Sequence, residues 1–133
     1  MALRLLQEGT EHDVPEAELR GVEAPDPDVI YRLRKISPAR NKAVIKAHTD
    51  DRRRGGAQVV DQLAVIDDLV DYALTAWTGV VDGEGAPAPC TRENKLAGLD
   101  YTRKSGIVEF AMSMDRARTE DRAASFREPA RMV

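Results

Sequence analysis

Between residues 57 and 77 the apolar side chains fall at Val59, Leu63, Ile66, Val70, Ala73, Leu74 and Trp77, mostly at steps of three and four. That spacing draws one stripe down an α-helix. Val60, Val65 and Leu69 widen the stripe, while Asp61, Asp68 and Asp71 fall largely off it. The pattern predicts a helix over 57–77, covered on most of its circumference as core, oligomer contact or both. Ile107, Phe110, Ala111, Met114 and Ala117 repeat the same steps and predict a last helix starting near 100–102. Gly106 opposes that helix by about 1 kcal/mol relative to alanine.

A different period runs through 29–36. Tyr31, Leu33 and the Lys35 stem alternate with Ile30, Arg32, Arg34 and Ile36, which reads as an edge strand with one wet, basic face. Ser37-Pro38 then opens a helix over 38–48, serine capping the free amides and proline suiting the first helical position. Val44, Ile45 and Ala47 point inward on it. Asp50, Asp51, three arginines and two glycines break it, so 49–56 reads as a connection. Gly79 stops the long helix, and Asp82-Gly83-Glu84-Gly85 followed by Pro87 and Pro89 makes a turn. Thr91 caps a short helix over 92–99, with Leu96 and Leu99 inward.

The two ends look different. Residues 11–28 hold seven acids and the prolines Pro15, Pro25 and Pro27, which disfavour helix and remove ladder donors. They read as an extended acidic arm, with one short strand possible at 2–6. Beyond Arg118 the chain is mostly charge and alanine, and Pro129 ends any helix. The predicted organisation is an arm over 1–28, one domain over 29–118 and a charged tail over 119–133. The fold class is mainly α (α+β): three to four helices with a short N-terminal strand or hairpin.

Composition narrows the function. The 133 residues suit one domain with a real, small core. At 5% aromatic content there are too few rings for a base-stacking platform. Cys90 is alone, so no internal disulfide exists, which fits a reducing compartment. The short run of Leu3, Leu5 and Leu6 does not make a signal-peptide core, and no stretch nears the ~20 apolar residues of a membrane span. The chain reads as soluble and cytoplasmic.

Net charge is −3, unevenly spread. Residues 1–31 carry eight acids and two bases; 32–54, nine bases and two acids; 55–91, six acids and no base; 92–133, nine bases and seven acids. Such blocks attract one another within a fold or between subunits, or form separate solvated faces. The acidic total argues against a phosphate-binding surface on Arg32–Arg54, despite the Arg52-Arg53-Arg54 run.

Little points to catalysis. His12 and His48 stand in different segments without metal-ligand spacing, His12 reading as a surface pair with Asp13. Asp67 and Asp71 are neighbours on a helix, and with Asp61 and Asp68 they offer a divalent ion some carboxylates; a solvated acidic face explains them better. Asp82 to Gly85 lacks the alternating ligands of a calcium loop. There is no phosphate-cradling glycine motif. Cys90 has no base beside it in sequence and reads as a packing residue. The expectation is no cofactor, no metal and no enzyme activity.

Residues 77–94, running Trp77-Thr78-Gly79-Val80-Val81-Asp82-Gly83-Glu84-Gly85 to Thr91-Arg92-Glu93-Asn94, resemble a segment of tail assembly chaperones of long-tailed (siphovirus-type) phages. In that family a helix ends in Trp, then come Gly-Val, a turn with Asp and Gly, and a Thr- or Ser-x-Glu-Asn helix start. Trp77, Gly79, Val80, Asp82, Gly85, Thr91, Glu93 and Asn94 match it. The runs Asp67–Tyr72 and Tyr31–Arg34 sit where such proteins carry similar ones. The resemblance covers about half the chain, leaving out the acidic arm and the tail.

The resemblance implies a non-enzymatic protein of the host cytoplasm that coats the tape measure protein and keeps it soluble while the tail tube assembles. Its implied partners are that protein, the tail tube protein and further copies of itself. If the 57–77 stripe is mostly core, partner contact falls on Ile107, Phe110, Met112 and Met114, where methionine gives an adaptable surface. The main rival is a structural virion component of neck, tail or baseplate; a nucleic-acid-binding regulator and an enzyme come behind it.

Overall fold

A computed structural model describes residues 10–50 and 59–114. β1 (Glu11–Pro15) leads through a 3-10 turn (Glu16–Glu18) to β2 (Ile30–Arg34). α1 (Pro38–Ala47) follows, then β3 (Thr49–Asp50), β4 (Val59–Val60) and α2 (Gln62–Ala73). β5 (Leu74–Thr78), α3 (Arg92–Gly98) and α4 (Tyr101–Met112) complete the described elements. Among the described residues the fold is mixed α+β: four α-helices around a three-stranded antiparallel sheet in the order β1-β2-β5, with β3 and β4 as a separate pair.

Each of the four described α-helices begins as its sequence demands. The side chains of Ser37, Asp61, Thr91 and Asp100 each accept the amide three residues on, at 3.0, 3.2, 3.1 and 2.8 Å. α1 also has Pro38 in its first turn.

Three expectations need correction. The helix predicted over 57–77 spans only Gln62–Ala73, and Leu74–Thr78 is a strand. Leu33 faces Leu74 and Tyr31 faces Trp77, so a bulge at Thr75 puts residues three apart on one face of the sheet. That bulge supplies the helix-like step that the stripe suggested. The bulge is held by the Thr75 hydroxyl, which donates to the Arg32 carbonyl at 3.2 Å.

Second, β2 is central rather than an edge, because its two neighbours lie in segments read as arm and helix. Third, the acidic arm joins the domain from Glu11 onward: β1 pairs with β2, and Val14 and Leu19 are buried. Pro15 is tolerated because it ends an outer strand. The strand considered at 2–6, the Arg52–Arg54 run and the tail beyond residue 114 lie outside the described residues.

Val14, Tyr31 and Leu33 meet Leu69, Val70 and Ala73 of α2 and Ile107 and Ala111 of α4 in one core. α2 is the hub: α4, α3, α1 and β5 all pack on it. Gly106 sits where the 19–21 turn crosses α4, and a Cβ there would lie 3.1 Å from the Arg20 carbonyl oxygen and the Leu19 Cβ. Close packing explains a glycine that helix propensity disfavours.

Candidate functional site

The acidic side chains of α2 are tied to the elements around it. Asp61 caps the helix, and Asp67 accepts from Lys104 of α4 at 2.9 Å. Asp68 contacts the His48 ring at 2.5 Å and accepts from Arg92 at 2.8 Å, which hold its carboxyl below the usual range. Asp71 accepts from Arg92 at 2.8 Å and Lys95 at 3.1 Å. Burial opposes ionisation of Asp71, and the two cations outweigh it, so its pKa is lowered. The negative block of 55–91 thus meets bases of 92–133 and His48 inside one domain, and no cluster of ligating side chains able to hold a metal occurs among the described residues.

Lys95 is buried, and its ammonium donates to the Asp71 and Leu74 carbonyls at 3.0 and 2.7 Å as well as to the Asp71 carboxylate. These carbonyls close the C-terminal end of α2, where a helix leaves acceptors without partners. Lys95 is a helix cap supplied from another helix.

Glu16 is the other buried charge. It is 1% exposed and accepts from the Tyr31 hydroxyl at 2.6 Å, Arg103 at 2.9 and 3.2 Å and the Asp26 amide at 2.8 Å. Burial pushes its pKa up, but Arg103, Tyr31 and the Asp26 amide bring it from 4.5 down to about 2. Both its oxygens are engaged in holding the 3-10 turn to β2 and α4. Burial also pushes the Cys90 thiol up, against the pull of Lys95, which disfavours the reactive thiolate.

The 77–94 segment is held by its own residues. Trp77 donates its indole N–H to the Ala88 carbonyl at 2.7 Å. Asp82 Oδ1 accepts the amides of Glu84 and Ala86 at 2.8 and 3.0 Å, and Gly85 takes a φ of +83°. Gly79 also has a φ of +83°, and a Cβ there would stand 2.0 Å from the Asp28 carbonyl oxygen. Val80 packs on the core and its carbonyl accepts the Ala88 amide at 2.9 Å. Thr91 caps α3, Glu93 lies in its first turn and Asn94 donates to the Pro89 carbonyl at 2.8 Å. Apart from Glu93, each matching position has a structural task in this chain.

The remaining feature is an apolar groove between α1, α2 and α4. Ile45, Val65, Ile66, Leu69, Val108 and Met112 line it, with Val60, Asn41 and Gln62 at its margin, around about 250 Å³. Small-molecule pockets run to roughly 300–1,000 Å³, so the groove suits a few side chains better than a cofactor. Leu63 is 65% exposed, and Val59 and Met112 are also exposed large apolar residues. Of the four contact residues expected from sequence, Ile107 and Met114 are in the core, Phe110 is half-buried and Met112 lies on the groove. Within the predicted stripe, Val70 and Ala73 are core, while Leu63 faces solvent and Ile66 lines the groove.

A second depression, between Arg20-Gly21 and Tyr101, Ser105 and Glu109, is an open trough bordered by an exposed Arg20–Glu109 pair at 3.4 Å. No protein-family model, curated protein or solved structure matches the chain.

Proposed function

We propose that this chain is a non-enzymatic tail assembly chaperone of a long-tailed phage, which seats an apolar helix of the tape measure protein in the α1–α2–α4 groove. The observation that carries protein binding is the groove itself, an open apolar surface that includes exposed Met112, with a second exposed apolar side chain, Leu63, on the same helix as Val65, Ile66 and Leu69 of its lining. Amphipathic helices dock in such grooves through side chains at i, i+3, i+4 and i+7. The assignment to phage tails rests on the resemblance of residues 77–94. In this reading the charged residues build the domain and the apolar groove does the work.

Co-expression with the tape measure protein of the same genome tests the proposal. The partner stays in the soluble fraction and co-purifies with the wild-type chain. Leu63→Asp with Met112→Asp abolishes both effects while the melting temperature stays within a few degrees, since both side chains are exposed. A partner that aggregates equally with and without the chain removes the proposal. Recovery of the chain by mass spectrometry from purified particles favours the structural virion component instead.

A further inference from the structure

α1 forms one wall of the groove, and it is the least buried helix of the fold: none of its residues is buried. Its groove-lining residues are Asn41 and Ile45. A helix turns about 100° per residue, so Lys42 and Lys46, each one position further on, lie together about a quarter-turn round α1 from them, and both are exposed. α1 also carries Arg40 and no acid. Arg40 lies over the Tyr72 ring, 4.0 Å from its centroid, where it is already engaged. Lys42 and Lys46 have no side-chain hydrogen bond or ion pair among the described residues, in a domain where most described arginines and Lys95 and Lys104 are paired. The groove itself is lined by no charged residue.

We infer that the groove takes an amphipathic helix whose flank lying against α1 is acidic, and that Lys42 and Lys46 are the residues that read that flank. The inference rests on the protein-binding reading above and adds the charge and orientation of the partner. The apolar lining supplies contact area of either sign, so it does not distinguish one amphipathic helix from another. Two unpaired ammonium groups one turn apart fix which edge of the partner faces α1, and repel a partner whose basic edge is placed there.

Two fluorescein-labelled helical peptides with the same leucine stripe, one with glutamates and one with lysines along one flank, serve as probes in anisotropy titrations. At about 0.05 M salt the glutamate peptide binds the wild-type chain about tenfold more tightly, the scale of two surface ion pairs replaced by two repulsions. At about 0.5 M salt the difference falls to about twofold or less, because exposed charges are then screened. Lys42→Glu with Lys46→Glu reverses the preference, and Met112→Asp abolishes binding of both peptides. Equal binding of both peptides by the wild type, lost on Met112→Asp, overturns the charge inference and leaves the groove reading standing. Binding of neither peptide, together with an unrescued tape measure protein, overturns both.

Discussion

Glu16 is a single residue whose ionisation the fold depends on. Its folded pKa of about 2 lies below the ordinary 4.5. A depressed acid stabilises the fold above its unfolded pKa and loses that contribution as pH falls through the folded one. The gap corresponds to about 3 kcal/mol at neutral pH, withdrawn between pH 4.5 and 2. Glu16→Gln therefore lowers denaturant stability by about 2–4 kcal/mol at pH 7, and it flattens the acid limb of the stability curve; a variant whose acid limb matches wild type contradicts this assignment. Lys95→Met leaves the Asp71 and Leu74 carbonyls and the Asp71 carboxylate short of a donor. It costs about 2–4 kcal/mol in the same measurement, in contrast to exposed Lys42→Met, which stays within about 0.5 kcal/mol. Neither buried charge was legible as such in sequence. Glu16 stands among seven acids in an acidic run and Lys95 inside a short helix, and only partners far along the chain set them apart.

At the scale of elements, the glycines of the 77–94 segment separate three kinds of constraint. Gly79 combines a positive φ with a Cβ position 2.0 Å from a backbone oxygen, Gly85 has the positive φ in open space, and Gly83 has open space without it. Alanine is expected to cost about 3 kcal/mol or more at Gly79, about 1 kcal/mol at Gly85 and a few tenths at Gly83. Thermal unfolding of the three variants checks the order, and any other ranking contradicts the geometry. The caps Ser37 and Thr91 and the Asp82 turn were readable because they are local chemistry: a side chain bonding an amide two to four residues on. The strand Leu74–Thr78 was not, because one extra residue at Thr75 changed its period from two to three. β1 was hidden by its acids and Pro15, which an outer strand accepts and a central one does not.

The whole molecule is arranged around α2, with the sheet, α3 and α4 closing most of its surface and α1 closing the rest incompletely. The incomplete side is the groove. The sequence marked its apolar residues without showing which were covered, because burial depends on how far α1 and α4 approach α2. The charge blocks were plain in sequence, and the fold pairs many of them internally: Arg32 with Asp13, Arg92 with Asp68 and Asp71, Arg103 with Glu16. Glu16 and Arg103 are 87 positions apart, and Ile30 of β2 pairs with Thr78 of β5. A two-stranded ribbon is marginal alone, so β1 and β2 leaving a ribosome have neither their third strand nor a cation for their buried carboxylate. A nascent chain halted before Arg103 is therefore expected to hold Glu16 without its guanidinium partner, and to show weaker protection of β1 and β2 than the full chain.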